Sequence, residues 1–206
     1  MVNLRIIFIG IGMGLLAVVF AGPMQSPPTT PPASELAELF KNGEPTARHR
    51  ELDSFVGTWN QNVRCWLRPD APPIESTMTA EYAWVLDGRY IEGRCRGTLL
   101  GKPFEAIEIR GFDNASGCFT LQWFDNLGTS ALIAAGQFDA QSRVFSLQGE
   151  KSSCPQAGEV PSKPTVAFRT ATHLVGSDRM IFEIFSSSPE GREFRSLQVI
   201  SARREP

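Results

Sequence analysis

From Trp59 onward, apolar and polar positions alternate in short segments rich in aromatic and β-branched residues, each bounded by Gly, Pro, Asp or Asn. The segment 118–125 (CFTLQWFD) sets Phe119, Leu121 and Trp123 on one face and Thr120 and Gln122 on the other. In the same way Met180, Phe182 and Ile184 oppose Arg179 and Glu183, although Ile181 and Phe185 spoil a clean outer face. Such segments predict strands over 58–67, 77–86, 89–97, 104–112, 118–125, 129–138, 144–150, 165–175, 179–186 and 193–202. The links are hairpin-like: Asp87-Gly88, 113–117 (DNASG), 126–128 (NLG), 176–178 (GSD) and 189–191 (PEG). The exception is 151–164, a long loop.

No helix-sized segment separates consecutive strands, which excludes parallel βαβ units. The fold class is therefore all-β. About ten sequential antiparallel strands remove their exposed edges most simply by closing into an up-and-down barrel, with a two-sheet sandwich as the alternative. A barrel of this size encloses either packed side chains or one small-molecule cavity.

Ahead of the strands the pattern changes. Residues 6–21 (IIFIGIGMGLLAVVFA) follow Arg5 as sixteen uncharged residues without Pro. That length fits the hydrophobic region of an export signal, whereas a membrane span needs about 20 residues. Cleavage after Ala21 is expected, which makes the protein periplasmic or extracellular in a bacterium; the competing expectation is an uncleaved N-terminal anchor. Residues 22–33 (GPMQSPPTTPPA) hold five Pro and no charge and read as an extended tether. Ser34 can cap a short helix through Lys41, and Pro45 can open a second carrying His49, Leu52, Phe55 and Val56. The expected organisation is a signal peptide at 1–21, a Pro-rich linker and short helix at 22–47, and a barrel domain at 48–204.

Charge narrows the partners. The full chain carries 20 Lys and Arg against 22 Asp and Glu, and removal of residues 1–21, with Arg5 as their one charge, leaves 19 against 22. A nucleic-acid binder would show a basic excess, so no nucleic-acid partner is expected. Two His and four Cys without a C-x-x-C pair suggest neither a metal site nor a cofactor. In an exported chain the even cysteine count suggests disulfides. Alternating strands gather Cys65, Cys95 and Cys154 at one rim and leave Cys118 at the other, so at least one bridge among the first three is expected.

Gly57-Thr58-Trp59, opening the first strand after a short helix, resembles the G-x-W start of lipocalin-like barrels. The likeness then narrows. His49-x-x-Leu52-x-x-Phe55-Val56-Gly57-Thr58-Trp59 is followed by Arg68-Pro69-Asp70-Ala71-Pro72-Pro73-Ile74-Glu75-Ser76, Leu86-Asp87-Gly88-Arg89-Tyr90 and Gly101-Lys102-Pro103-Phe104-Glu105. Gly111-Phe112-Asp113-Asn114, Trp123-x-Asp125-Asn126-x-Gly128-Thr129, Gly136-x-Phe138-Asp139, Phe182-Glu183 and Gly191-Arg192-Glu193-Phe194 complete the series. In order and spacing these residues, spanning roughly 49–203, resemble the bacterial domain-of-unknown-function family 1579. The resemblance implies a calycin-type barrel and no established activity. In barrels of this kind an Arg from the chain end lies over the first Trp, a role that falls here to Arg203 or Arg204 over Trp59. A more distant resemblance to nitrobindin-type barrels would make His173 a haem ligand, but their G-T-W-x-G-x-G start stands here as Gly57-Thr58-Trp59-Asn60-Gln61-Asn62-Val63.

The expected function is the binding of a small, partly apolar molecule. Trp123 and Asp125 share the parity of Phe119 and Leu121, so Trp123 is expected to line the cavity, with Asp125 and Thr129 near its mouth and Arg89 or Arg110 as partner to the carboxylate. No catalytic residue is assigned. The alternatives are a hydrolase or isomerase with Asp125 or Glu183 as general base in the cavity, and a filled structural barrel of the cell envelope that docks a partner through Trp66 and Phe185.

Overall fold

In a computed structural model, the described residues are 32, 34, 37, 40–41, 43–150, 167–188 and 191–204. Ten strands run in sequence: β1 (Gly57–Cys65), β2 (Ile74–Val85), β3 (Tyr90–Leu99), β4 (Lys102–Asp113), β5 (Cys118–Asp125), β6 (Leu132–Asp139), β7 (Val144–Glu150), β8 (Ala167–Val175), β9 (Arg179–Ser187) and β10 (Glu193–Arg203). Every strand pairs antiparallel with its sequence neighbours, and β1 pairs with β10 from Trp59↔Arg203 to Cys65↔Leu197. That last pairing closes the barrel and excludes the sandwich. Closure leaves no strand with an unpaired edge.

The alternation follows the pleat. On β1, Trp59, Gln61 and Val63 are buried while Asn60, Asn62 and Arg64 are exposed. On β4, Phe104, Ala106, Glu108 and Arg110 are buried and Glu105 and Ile107 exposed. One departure is the sixth strand, which begins at Leu132 and leaves Thr129 in an exposed connection. The cause is local. The Asp125 carboxylate accepts the Leu127 N–H at 2.9 Å, and the Asn126 side chain bonds the backbone of Pro103 and Glu105, which holds the chain against β4 before it turns back.

Of the N-terminal helices expected, the described residues show one, and it is a 3-10 helix at His49–Phe55, formed by i→i+3 bonds such as His49 N–H to the Thr46 carbonyl at 3.0 Å. It buries His49, Leu52 and Phe55 at one end of the barrel. The export signal, the tether, most of the 34–41 helix and the 151–164 loop with Cys154 lie outside the described residues.

Cys65, Cys95 and Cys118 are free thiols, so the Cys65–Cys95 bridge is not formed. The register gives the reason. Cys65 pairs with Ile74 on β2 and Cys95 with Ala80, six residues further along that strand. At about 3.3 Å per residue this is roughly 20 Å of strand, against the ~5.5 Å Cα separation that a disulfide requires.

Candidate functional site

The two barrel ends differ. At the closed end the backbone turns through the 3-10 helix into β1, and Trp59 lies beneath that turn with its indole N–H donated to the Phe55 carbonyl at 2.8 Å. Arg203, its cross-strand partner, stands over the indole with the guanidinium carbon 4.3 Å from the ring centroid. The same guanidinium donates to the carbonyls of Val56, Ser54 and Ser177. Gly57, at φ +127°, makes room for it: a Cβ there would lie 2.5 Å from an Arg203 nitrogen. Helix, first strand and last strand are thus tied at one point.

Above this floor is a cavity of about 250 Å³. Its lining grades from buried residues near the helix (Phe55, Tyr82, Arg110, Met180) to half-buried ones at the opposite rim (Cys65, Trp66, Trp123, Asp125, Leu132). Most of the wall is apolar. A cavity of about 150 Å³ already accepts benzene, while drug-sized ligands occupy about 300–1,000 Å³. The space therefore suits a molecule larger than benzene and smaller than a typical drug.

The inner end is polar. Glu108 and Arg110 stand two residues apart on the inward face of β4, 1% and 3% exposed, and the Arg110 Nε donates to the Glu108 carboxylate. The Tyr82 hydroxyl donates to the other Glu108 oxygen at 3.1 Å, and Arg110 reaches Thr172 Oγ1 at 3.4 Å. Phe55 packs under Arg110, with 4.3 Å from the guanidinium carbon to the ring centroid. Tyr82 reaches Glu108 because Gly93 lies between them: the register runs Tyr82↔Gly93↔Glu108, and a Cβ on Gly93 would sit 2.3 Å from the tyrosine ring. Burial, with the Glu108 carboxylate beside it, raises the Tyr82 hydroxyl well above its ordinary range. The same two causes push the Cys95 thiol up to about 12. Hydrogen bonds to each partner offset part of the desolvation cost of a buried ion pair, while removal of one partner would leave an uncompensated charge.

Trp123 and Asp125 lie on the cavity wall at the rim, and the indole N–H of Trp123 donates to Asp125 at 3.0 Å. The partner of the carboxylate is this indole together with the Leu127 N–H. Arg110 belongs to Glu108. Arg89 is at the closed end, in the turn between β2 and β3, where it donates to the Gly43 carbonyl at 2.8 Å and pairs with Glu44. Neither Arg89 nor Thr129 contributes to the cavity wall. Parity carries Asp125 to the rim, but sequence distance alone could not tell which rim Arg89 occupies.

Glu183 is not in the cavity. It faces outward on β9, where Arg195 and Gln198 donate to it at 2.7 and 3.1 Å and His173 approaches at 3.5 Å. Both Asp125 oxygens are held and Glu183 is outside, so neither carboxylate is placed as a free base in the interior. His173 shares that outer face and cannot reach a ligand inside. His49, the other histidine, has its Nδ1 accepting the Thr46 N–H at 2.9 Å, and burial lowers its pKa. The histidines present do not fit a haem held in the barrel. Trp66 lines the rim of the cavity and Phe185 lies under Arg169 at 3.6 Å, with the Arg195 guanidinium carbon 5.8 and 5.9 Å from the two ring centroids.

Sequence reasoning missed Glu108, Tyr82 and Gln61 as interior groups. The signal for Glu108 was its parity with Phe104 and Phe112, but Ile107 and Ile109 offer an equally apolar alternate face.

No curated protein matches this sequence significantly. Among solved structures the fold is shared with the "Crystal Structure of Rv2717c from M. tuberculosis", at a TM-score of 0.57 and 15% identity, covering 79% of this chain and all of that one. The family model described as "Protein of unknown function (DUF1579)" matches residues 44–203. The barrel, its G-x-W closure and this match over most of the sequence establish that the chain belongs to the DUF1579 family.

Proposed function

We propose that the protein is an exported carrier that binds one small, partly apolar molecule inside the barrel. The observation that carries this reading is the cavity of about 250 Å³, with apolar walls and hydrogen-bonding groups at its inner end. A barrel serving as a filled structural body would close that space, because an empty apolar cavity forfeits packing contacts along its lining. The ligand enters past Trp123 and Trp66, and the indole of Trp123, held by Asp125, forms one wall of the mouth. Export is supported by the sixteen uncharged residues 6–21 behind Arg5.

Native mass spectrometry of protein purified from the cells that make it tests the reading. The expected result is a mature chain beginning at Gly22 and a small-molecule adduct that is lost on unfolding. An intact Met1 in the membrane fraction would overturn the cleaved-export part. A bare chain that also takes up no small aromatic probe would overturn the binding part.

A further inference from the structure

We propose that the inner end of the cavity recognises a neutral ligand bearing a hydroxyl group, and that Gln61 is the residue that reads it. The inference rests on the binding reading above and specifies its ligand class. Gln61 stands on the inward face of β1 between Trp59 and Val63, and lines the cavity opposite Ser201 of β10. Its Nε2 donates to the Ser201 hydroxyl at 3.1 Å. Its Oε1 is buried and has no hydrogen-bond partner, one of two such side-chain atoms among the described residues. Exchanging the amide oxygen and nitrogen moves the vacancy without removing it, since Ser201 can serve one end of the amide and the other stays unpaired. A buried polar group left unpaired is costly and therefore rare. The second such atom, Glu51 Oε2, belongs to the 3-10 helix and not to the cavity wall. Gln61 lines a space large enough for a ligand, and a turn of its amide brings the unmet hydrogen bond from behind the wall into that space. A hydroxyl can meet it in either amide orientation, because it both donates and accepts.

Charge selects the rest. The Glu108 carboxylate and the Arg110 guanidinium face the same cavity and neutralise each other. Tyr82 and Cys95 keep their protons at neutral pH. A ligand with a net charge would bring an uncompensated charge into this space, where burial without a partner is strongly unfavourable. The recognised molecule is therefore an alcohol or phenol on a compact apolar body.

The test is binding of three probes of matched shape, p-cresol, p-xylene and p-toluate, to the full mature chain at pH 7 by calorimetry or tryptophan fluorescence. The expected result is that p-cresol binds about tenfold more tightly than p-xylene, the worth of one hydrogen bond in a dry site, and more than tenfold more tightly than p-toluate. Gln61→Met should remove the preference for p-cresol over p-xylene while p-xylene still binds. The wild-type comparison stands on its own should that variant fold poorly. Equal binding of p-cresol and p-xylene by the wild type would mean that a water serves Gln61, and would overturn the inference while leaving the binding reading in place. Tightest binding of p-toluate would overturn it as well. Failure of all three probes to bind would overturn the binding reading itself.

Discussion

The closed end of the barrel and its rim are built from the same alternating strands but by opposite means. At the closed end, Trp59, Phe55 and Leu52 are buried beneath a guanidinium that satisfies three backbone carbonyls, so side chains, helix and both chain-terminal strands share one set of contacts. At the rim, Trp123 and Trp66 are half-buried, and each strand connection secures its own geometry, as the Asp125 carboxylate does for Leu127. The difference teaches where stability resides and where the proposed binding would be placed. One end holds the barrel shut, and the other is expected to accept substitution with the fold intact. Between them lies the Glu108–Arg110 pair, which belongs to the closed end by its packing on Phe55 and to the cavity as part of its wall.

Substitutions can break this contrast. The largest effect is expected for Trp59→Ala, a loss of about 3–5 kcal/mol, as for other large buried aromatics. Denaturant titration checks it, and a loss under about 1 kcal/mol would show that Trp59 does not close the core. Arg110→Met should follow with a loss of roughly 3 kcal/mol, because Glu108 is left as a buried charge without its cation. Adding Glu108→Met to that variant should recover much of the loss, since a fully apolar replacement of a buried pair is tolerated better than half of one.

At the rim the order reverses. Trp123→Ala should lower stability by less than about 2 kcal/mol, in keeping with a half-buried side chain, yet weaken binding of p-cresol more than tenfold. Asp125→Asn should weaken it by a few-fold through the freed indole, with the fold intact. Thr129→Ala and Arg89→Ala, both outside the cavity wall, should leave binding within twofold of wild type. A large effect of either would shift the site away from the barrel interior.

The smallest effect at neutral pH concerns the thiols. Burial raises both Cys65 and Cys95, Cys95 to about 12, above the ordinary value of 9.0. A thiol that holds its proton longer in the folded chain contributes stability that is fully present below about pH 9 and lost as pH rises toward 12. Stability should therefore fall across that range, and less steeply in Cys95→Ala. In the native protein at pH 8, alkylation should spare Cys95 and modify it only after unfolding, which mass mapping of the labelled peptides reads directly.

The architecture was largely legible in the sequence, because hairpin links and period-two alternation are both local. The strands 118–125 and 144–150 end where the pattern ends, and 179–186 extends by one residue. The closed end was legible for the same reason: Gly57-Thr58-Trp59 states a glycine, a turn and a buried indole within three residues. The interior polar cluster was not. On β4 the pattern Phe104-Glu105-Ala106-Ile107-Glu108-Ile109-Arg110 offers two faces of similar apolarity, and the inward one carries the charges. What decides is tertiary: Gly93 opens a path for Tyr82, and Phe55 stacks on Arg110 from 55 residues away. The position of Thr129 failed on turn chemistry, since the Asp125 and Asn126 side chains lengthen the connection beyond the Gly128 that sequence spacing marks.

The barrel interior is proposed as a ligand site. A crystal of the mature chain soaked with p-cresol tests it most directly. One molecule is expected inside the barrel between Trp123 and Gln61, with its hydroxyl about 2.7–3.0 Å from the Gln61 amide. An interior filled by repositioned side chains, or p-cresol found at saturation only on the outer surface, would contradict it.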